Sequence, residues 1–587
     1  MASHEISIRK LKKDKKILAV ARFTTVVAGI GIVWYFWPEG SIVSSVAIII
    51  SIIFIVLVFR DADKTEAIKN HVRLIAVNKH ETDVLQHDLK GYDDGQSFAD
   101  ATHAYSADLD LFGPSSLYQY LSRCHADQSK KRLADYLKTP IDVSTLKEKQ
   151  AAVKELSEKQ SYCQGLQAKA LAQPVTDQTE KRLKAFMTSP SVGFENIFWR
   201  WFQNIYPIIP ISAVTLYLLD DITVKVFLTC ITVFYITTVL ISRKIGPALE
   251  MLLNIEPEMD TMQKQFFLIE NENFKSDFLT SLQNRLKPAG YSSTSRSIAD
   301  LNTILKKNDW RSNVFINLIV QIFFVWDLRL VILLNEWKKK NRQYFNDWFT
   351  IIAEMEVMIS LASLAHNEPD WCFPEADEKY FHFAVEGLGH PLIPAASRIT
   401  NDFALEGTGK IALVTGSNMA GKSTFLRSVG INTVLAMTGA PVCAGKMSLS
   451  AVKLISSMRV SDNLAENTST FYAELKKIQY IIDSVNRKEK VFILLDEVLR
   501  GTNSTDRHKG AKALVRQLLQ SGAVTIMATH DTELAHSEAD DPSVFNYHFE
   551  GKIRNEELYF DFKLKRGISE SLNATTLMKK IGIHFQD

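Results

Sequence analysis

A glycine-rich loop that could cradle phosphate groups lies in the C-terminal half of the chain. Residues 416–423 read GSNMAGKS, which fits the spacing G-x-x-x-x-G-K-[ST]. Glycines let main-chain N–H groups approach phosphate oxygens, Lys422 supplies a cation, and Ser423 offers a hydroxyl ligand to Mg²⁺. The pattern predicts a buried strand over 411–414, a helix from about Lys422, and a nucleotide-phosphate site between them. The expected nucleotide-binding residues are Gly416, Ser417, Asn418, Met419, Ala420, Gly421, Lys422, Ser423 and Thr424.

Two further apolar runs end on residues that could act on such a nucleotide. Residues 491–497 read VFILLDE, which predicts a buried parallel strand that ends on two carboxylates. We expect Asp496, with Ser423, to hold Mg²⁺ and Glu497 to orient and deprotonate the attacking water. The run 524–530 ends on His530, which could sense the γ-phosphate. A lone histidine is more often structural, but its place after a third strand favours a catalytic role. A nucleotide with a γ-phosphate and Mg²⁺ are therefore the expected cofactors, with Lys422, Glu497 and His530 as catalytic residues.

The composition sets limits on the class of protein. The 587 residues predict several domains, and 68 Lys and Arg residues against 66 Asp and Glu give a formal net charge of +2. This balance argues against a strongly basic nucleic-acid-binding domain. The five cysteines are scattered without a metal-binding or disulfide spacing, which is typical of a reducing cytosol.

Four apolar stretches predict two membrane hairpins. Residues 17–37 and 42–59 form the first pair, and 205–219 and 224–242 form the second. The first stretch follows a basic N-terminus, but the second stretch and the lack of a cleavage site argue against a signal peptide. Both hairpins have basic outer ends and acidic tips, so the positive-inside rule places the ends in the cytoplasm. We expect a multi-pass protein of the cytoplasmic (inner) membrane, with both termini and every large segment in the cytoplasm and the lipid bilayer as a partner.

The remaining segments predict soluble helices. Apolar residues recur at helical spacing from Leu117 to Leu137, and residues 245–305 are typical of long polar helices. Residues 314–335 are long enough to span a membrane, but Asp327 and Arg329 would then lie near its middle. We therefore interpret this stretch as the central helix of the soluble core.

The amino-acid sequence of the C-terminal third resembles that of the ATPase domain of the MutS family. The relevant phrases are GLGHPL, TGSNMAGKSTFLR, LLDEVLRGTNS and ATHDTELA, and the similarity is continuous from about 386 to 583. They are most similar to the membrane-bound branch of bacterial MutS-related proteins. The resemblance implies an α/β ABC-type P-loop ATPase domain preceded by an all-α MutS-like core, here with transmembrane helical hairpins.

The same resemblance implies further site residues and a partner. In the family two ATPase domains face each other, so Ser469 of one subunit would reach the γ-phosphate bound by the other. Asn503 and Ser504 would lie on the loop between the two sites. Arg398 and His548 match family positions near the adenine, although the family has an aromatic residue where this chain has Arg398. The resemblance thus implies a homodimer through the ATPase domains.

These expectations divide the chain into five parts. They are 1–64, the first hairpin; 65–195, the first part of the helical core; 196–244, the second hairpin; 245–375, the lever and the second part of the core; and 376–587, the ATPase domain.

Three functions stay open. The first is a membrane-anchored ATPase that acts in a dimer on mismatched, damaged or branched DNA. The second is the same motor with a protein or envelope partner and no DNA. The third is an ABC-type transporter, which the few intramembrane charges disfavour.

Overall fold

The computed structural model divides into a long helical region and a C-terminal α/β region. The structure describes residues 1–36, 40–139, 142–190, 193–252, 254–287, 293–308, 314–417, 419–458, 470–537, 539, 541–554 and 557–568. Ser469, Asn418 and residues 569–587 therefore lie outside the described residues.

The N-terminal hairpin consists of two very long helices. Helix α1 spans Ala2–Tyr35 and α2 spans Gly40–Leu85, and the two pack against each other. At 1.5 Å per residue they are about 50 and 70 Å long, so each continues well beyond the apolar stretch that the sequence marks. The polar ends of the two helices are joined by an ion pair between Lys64 and Asp14, whose charged atoms lie 2.9 Å apart. The apolar parts of both helices are exposed on the outside of the hairpin.

The second apolar segment is divided differently from the prediction. Helices α8 (Ile197–Ile205), α9 (Ile208–Leu218) and α10 (Val224–Glu250) follow the small helices α3 to α7. The predicted span 205–219 corresponds to α9, which has 11 residues and is shorter than the roughly 20 that cross a bilayer. Pro207 has no N–H to donate, which explains why the helical hydrogen bonding breaks between α8 and α9. The bounds of the preceding helices are Leu117–Leu121 (α3), Asp127–Lys138 (α4), Val143–Glu158 (α5), Gln160–Ala170 (α6) and Asp177–Thr188 (α7).

Among the described residues, four helices are long and apolar enough to cross a membrane by length and composition alone. Three of them, Ala2–Tyr35, Val43–Leu85 and Val224–Glu250, are almost wholly exposed along their apolar windows. The fourth, Phe345–Asn367, has 89% of its window buried inside the protein. This last helix is therefore the core of the helical region.

The expected central helix over 314–335 is wrong in the structure. The stretch forms two helices, α14 (Val314–Phe324) and α15 (Trp326–Asn341), which meet at an angle of 76°. Val325 lies between them with a φ of +46°, a value that stops an L-residue helix. The central position belongs to α16 (Phe345–Asn367). The preceding helices are Glu256–Asn271 (α11), Asp277–Leu286 (α12) and Thr294–Asn308 (α13).

Two buried glutamates of α16 tie the helical region together. Glu354 accepts hydrogen bonds from Arg132 Nε at 2.8 Å and from the Tyr136 hydroxyl at 2.5 Å. Glu356 accepts from the main-chain N–H groups of His125 and Ala126 at 2.8 and 3.1 Å. Because a buried carboxylate is costly unless it is fully hydrogen-bonded, these partners fix α16 against α4 and the segment before it.

The C-terminal region contains two sheets. A four-stranded sheet has the order β1-β5-β2-β3, and a six-stranded sheet has the order β10-β9-β4-β8-β7-β6. In the larger sheet only β10 is antiparallel to its neighbour. The strands are Glu375–Asp377 (β1), His382–Leu388 (β2), Asn401–Glu406 (β3), Lys410–Thr415 (β4), Lys446–Ser450 (β5), Lys453–Ser457 (β6), Val491–Asp496 (β7), Val524–Ala528 (β8), Val544–Arg554 (β9) and Glu557–Arg566 (β10).

Helices cover both faces of the six-stranded sheet. Alternate residues of β4 point to opposite apolar layers, with Ile411 and Leu413 in one and Ala412 and Val414 in the other. This burial on both faces explains the uninterrupted apolar runs in the sequence. The helices are Lys422–Thr438 (α17), Thr470–Asn486 (α18), Ser504–Gln520 (α19) and Thr532–Ser537 (α20).

Candidate active site

The loop between β4 and α17 needs glycine at both of its ends. Gly416 has a φ of +146°, and a Cβ there would lie 2.8 Å from the carbonyl oxygen of Phe549. Gly421 has a φ of +108°, and its Cβ would lie 3.1 Å from the Phe562 ring. Side chains at these positions would be strained and would clash with β9 and β10. The tight loop leaves the N-terminus of α17 open beyond the strand end, where main-chain N–H groups can bind an anion.

The lysine of the loop folds back over it. Lys422 Nζ donates hydrogen bonds to the carbonyl oxygens of Gly416 and Ser417 at 2.7 and 3.0 Å. The side chain is buried, and burial lowers its pKa, whereas the nearby carboxylates of Glu497 and Asp496 act in the opposite direction. The ammonium group is thus held at the centre of the loop by main-chain oxygens.

Asp496 ends β7 as a nearly buried carboxylate beside the loop. Burial raises its pKa, and a hydrogen bond with Ser423 acts against that rise. Two buried oxygens here, Asp496 Oδ1 and Ser417 Oγ, have no hydrogen-bond partner among the residues that the structure describes. Since buried polar atoms are normally satisfied, each of these two oxygens is able to bind an additional polar ligand.

Glu497 and His530 come together although 33 positions separate them in the sequence. Glu497 Oε1 lies 3.3 Å from His530 Nδ1, and Glu497 Oε2 lies 3.4 Å from Arg500 Nε. The strands β7 and β8 are parallel neighbours, so their carboxyl ends lie at the same edge of the sheet. Glu497 also has a φ of +52°, an uncommon value that turns its side chain away from the strand direction.

Glu474 is a residue of this site for which the sequence suggested no role. Its side chain is buried on α18, and its carboxylate accepts the main-chain N–H groups of Leu499 and Arg500, the latter at 3.1 Å. Burial raises the pKa of Glu474, and the two N–H donors act against the rise. Leu499 has a φ of +61°, so this carboxylate holds the irregular turn that follows Glu497. The available signal was its place at the end of residues 461–474, a stretch that also resembles the family.

A cavity of about 260 Å³ opens beside the loop. Its walls include Ile399, Phe425 and Phe562, together with Gly421 and Thr424 of the loop and helix. The carbonyl oxygen of Phe562 accepts from the side chain of Asn401 at 3.1 Å, and the strand register shifts between Phe560 and Leu564. The irregularity in β10 thus brings the Phe562 ring to the loop.

The two residues that were expected near the base do not line this cavity. Arg398 donates to the carbonyl oxygens of Ile393 and Pro391 at 2.9 and 3.4 Å, and its guanidinium lies over the Trp371 ring. His548 is paired within the sheet, with Nδ1 3.1 Å from the carbonyl oxygen of Gly567. Their side chains are directed to these partners, whereas the Phe562 ring lies against Gly421 of the loop.

The remaining residues predicted from the sequence lie on the loop or at the start of a helix. Met419 is exposed on the loop, Ala420 is buried under it, and Thr424 lies in the first turn of α17. Asn503 caps α19 by accepting the main-chain N–H of Asp506 at 2.9 Å, and Ser504 is the first residue of that helix. Ser469, the residue predicted to act in trans, immediately precedes α18 and is outside the described residues.

Comparison with known proteins finds sequence similarity in the region that contains this site. The MutS domain V family matches residues 412–583. The DNA mismatch repair protein MutS of Natronomonas pharaonis is 31% identical over 236 residues, 40% of this chain and 27% of the relative. MutS of Aquifex pyrophilus is 35% identical over 239 residues, again 40% and 27% of the two chains. Human MutS protein homolog 4 is 32% identical over 233 residues, 38% and 24% of the two chains.

The similarity is confined to one region. The chain spans about a quarter of the length of these curated relatives, and the aligned part makes up about 40% of this chain. The loop, both carboxylates and His530 all lie between residues 412 and 583. The C-terminal region of this chain is thus similar to MutS domain V, and it contains the candidate site.

Proposed function

We propose that this chain is a membrane-anchored MutS-type ATPase that binds and hydrolyses ATP with Mg²⁺ in a homodimer. The observation that carries the proposal is the buried Asp496 carboxylate, one oxygen of which has no hydrogen-bond partner among the described residues and which is adjacent to the Glu497–His530 pair. A phosphate loop, a metal ligand and a water-activating carboxylate at one sheet edge are the parts that phosphoryl transfer to water requires.

Each residue has a defined role in this proposal. The loop N–H groups and Lys422 bind the β- and γ-phosphates, which balances their charge. Ser423 and Asp496 would hold Mg²⁺, directly or through water, and the ion neutralises phosphate charge when bound. Glu497 orients and deprotonates the attacking water, and His530 and Arg500 keep its carboxylate in place. Ser469 of the second subunit would complete the site.

The cavity beside the loop is the proposed site of the adenine. Phe562 presents an aromatic face there, and Ile399 and Phe425 provide apolar walls. Aromatic rings stack well on purines because both are flat and polarisable. Phe562 would therefore supply the aromatic face that the family has at the position of Arg398.

The helical hairpins are the proposed membrane anchors. The exposed apolar faces of α1, α2, α9 and α10 would be costly in water but are suited to lipid. Basic side chains such as Arg9, Lys13, Arg200 and Arg243 flank the apolar stretches of the two hairpins on the side of the chain ends. The positive-inside rule then places the α/β region in the cytoplasm, at the inner membrane.

DNA is the first candidate for the partner that the ATPase serves. The named relatives include DNA mismatch repair proteins, and their similarity to this chain covers the α/β region. We propose that ATP hydrolysis is coupled to binding of mismatched, damaged or branched DNA. The near-neutral net charge of +2 favours the second candidate, a protein or envelope partner without DNA. A transporter is the weakest alternative.

The test is ATP hydrolysis by the full chain purified in detergent. Wild type, Glu497→Gln and the control Glu533→Gln, an exposed carboxylate outside the site, are compared with Mg²⁺ and ATP. We expect Glu497→Gln to lower kcat by about 100-fold or more while ATP binding is kept, and the control to match wild type. Equal hydrolysis by Glu497→Gln and wild type would contradict the ATPase proposal.

The same assay separates the two candidate partners. Hydrolysis is measured with homoduplex, mismatched and four-way-junction DNA across a series of salt concentrations. Stimulation that fades as salt rises supports coupling to DNA, because phosphate contacts release counterions. Hydrolysis that no DNA changes at any salt concentration would reject DNA in favour of a protein or envelope partner.

A further inference from the structure

Helices α8 and α9 share one exposed apolar face, although the hydrogen bonding of the chain breaks between them. The side chains that form this face follow one another at intervals of three or four residues, and each is more than half exposed: Ile197, Trp201, Ile205 and Ile208. Residues at this spacing lie on the same side of an α-helix. The exposed apolar surface of α9 therefore continues along the whole of α8.

The opposite side of the two helices is directed into the protein, again at helical spacing. Trp199 and Phe202 of α8 pack against the core, and Tyr206, Pro210 and Ala213 are buried. An exposed side and an inward side that both continue through the break are expected when two helices follow one common path.

The two residues between the helices keep a helical backbone. Tyr206 has φ and ψ of −50° and −44°, and Pro207 has −57° and −27°. With these two residues, α8 and α9 make a segment of 22 residues. At 1.5 Å per residue this segment is about 33 Å long, close to the roughly 30 Å of a hydrocarbon core, which α9 alone does not reach.

Two aromatic pairs set the depth of this segment beside α10. The rings of Tyr217 and Phe227 stack with their centroids 4.6 Å apart, and Tyr206 meets Phe234 edge-on at 6.1 Å. The chain therefore runs antiparallel to α10 from Tyr217 back to Tyr206. Phe234 lies near the middle of the apolar stretch 224–242, which puts Tyr206 near the middle of the proposed span. Helix α8 is the segment that remains to cross the cytoplasmic half.

The carbonyl group that the proline leaves without its helical donor is satisfied by the core. Pro207 has no N–H for the carbonyl oxygen of Gln203, four residues earlier, and the guanidinium of Arg329 on α15 donates to that oxygen instead. Main-chain groups at membrane depth must be satisfied within the protein, since lipid acyl chains offer no partner. This arginine thus makes the break compatible with a position inside the bilayer.

The charged side chains of this segment lie at the beginning of α8. Arg200 Nη2 lies 2.6 Å from Glu336 Oε1 of α15, and Glu195, just before α8, pairs with Lys339 at 2.8 Å. Charges close to the end of a span can reach the headgroups or the protein, whereas charges at its centre are costly. These ion pairs also attach α8 directly to α15 of the helical core.

We propose that α8 and α9 form one kinked membrane segment, in which α8 crosses the cytoplasmic leaflet and presents its exposed apolar face to the lipid acyl chains. Ile205 lies near the centre of the bilayer and Ile197 lies near the headgroups. The inference rests on the membrane part of the proposed function. It extends the lipid-facing surface to a helix that is bonded to the core.

The test uses fluorescent labels on single cysteines in the full chain. Cys230 and Cys372, the two cysteines that are not buried, are changed to Ser. One of the exposed positions of α8 is then changed to cysteine and labelled, as Ile197→Cys, Trp201→Cys or Ile205→Cys.

Two further labels serve as controls. Ile236→Cys is an exposed position of α10 at nearly the depth of Ile205, and Lys181→Cys on the exposed face of α7 reports water. Each labelled chain is placed in phosphatidylethanolamine and phosphatidylglycerol vesicles whose acyl chains carry bromine at a shallow or a deep position. Iodide is the aqueous quencher.

We expect brominated lipid to lower the fluorescence of labels at Trp201, Ile205 and Ile236 at least twofold, with little effect of iodide. The deep bromine should act most strongly on Ile205 and Ile236, to a similar extent, and the shallow bromine most strongly on Ile197. The label at Lys181 should respond to iodide alone.

Three results would overturn the proposal and leave the hairpin in the membrane. Iodide quenching at Trp201 and Ile205, with lipid quenching at Ile236, would place α8 in water. Protection of Trp201 and Ile205 from both quenchers would mean that protein covers the face. An equal, shallow depth for Ile197 and Ile205 would mean that α8 lies flat at the membrane surface. Iodide quenching at Ile236 would instead reject the membrane anchor of the proposed function.

Discussion

The side chains of the candidate site are held by main-chain groups more than by one another. Lys422 is bound by two loop carbonyls, and Glu474 binds two N–H groups of the turn after Glu497. Main-chain partners cannot change rotamer, so they fix the positions of charged groups in advance of ligand binding. Such preorganisation lowers the cost of arranging charges around a phosphate.

Phe562 supplies a prediction on nucleotide affinity. Its ring borders the cavity beside the loop, so Phe562→Ala should remove a stacking surface worth about 1 kcal/mol. We expect KM for ATP to rise about fivefold with little change in kcat, and Phe562→Tyr to behave like wild type. The measurement is steady-state ATP hydrolysis. His548→Ala is the control, since His548 lies outside the cavity. If KM for ATP rose in His548→Ala but not in Phe562→Ala, the assignment of Phe562 as the stacking residue would be rejected.

His80 supplies a prediction on acid stability. It stacks on Tyr92, and burial, followed by the charge of Arg123, lowers its pKa to about 4. A depressed histidine pKa stabilises the fold above pH 6.5, and the contribution is lost as the pH falls towards 4. The wild type should therefore lose about 3 kcal/mol across this window through His80, a loss that His80→Phe avoids.

Thermal melting in detergent between pH 4 and pH 8 tests this expectation. The difference in melting temperature between His80→Phe and wild type should grow in favour of the variant as the pH falls. His366→Asn, at an exposed position of α16, is the matched control and should follow wild type. Parallel pH curves for wild type and His80→Phe would show that His80 does not contribute.

At the scale of elements, one segment of the helical region contacts three elements of the α/β region. Asp108 accepts from Ser456 of β6 at 2.8 Å and pairs with Lys477 of α18. Asp110 pairs with Arg427 of α17 at 3.2 Å, and Leu109 packs closely on Gly430 of the same helix. The helix that follows the phosphate loop and the helix that carries Glu474 are therefore both attached to the segment around Leu109.

Lys477→Met tests how much this attachment stabilises the protein. Asp108 is only 1% exposed, so removal of its cationic partner leaves a buried charge less well compensated. We expect the free energy of unfolding to fall by about 2 kcal/mol, seen as a lower melting temperature in detergent. The neighbouring Lys476→Met, on the same helix, should be nearly neutral. A double-mutant cycle with Asp108→Asn isolates the pair, and additive effects would show that the two side chains do not interact.

At the scale of the whole molecule, ATP is expected to join two chains. The proposed site lacks a residue of the second subunit, so trapped ATP should hold the dimer closed. We expect Glu497→Gln with Mg²⁺ and ATP to sediment as a dimer in detergent and to dissociate without nucleotide. Ser504→Arg, at the exposed first residue of α19, should prevent the dimer, whereas Lys181→Glu should not. A monomer under all conditions would contradict the homodimer.

Features that depend on residues close together in the chain could be predicted from the sequence, whereas features that depend on contacts between distant residues could not. The sequence predicted β4, β7 and β8 because parallel strands buried on both faces need continuous apolar residues. It also predicted the loop, since Gly416 and Gly421 are required by local backbone geometry. It did not predict Glu474 or Phe562, whose roles depend on which distant main-chain groups they meet. It misplaced the central helix, because the mean hydropathy of 314–335 cannot distinguish an exposed apolar helix from a buried one.

The sequence alone determined the chemistry that this chain can offer: a phosphate loop, two carboxylates at a strand end and apolar stretches long enough for a membrane. These features depend on residues close together in the chain, and their patterns are therefore local. The tertiary structure decided which side chains share the site, with Glu497 beside His530 and Phe562 beside Gly421. It also decided that α16 is buried and α14 is exposed, because burial is set by neighbours from distant parts of the chain.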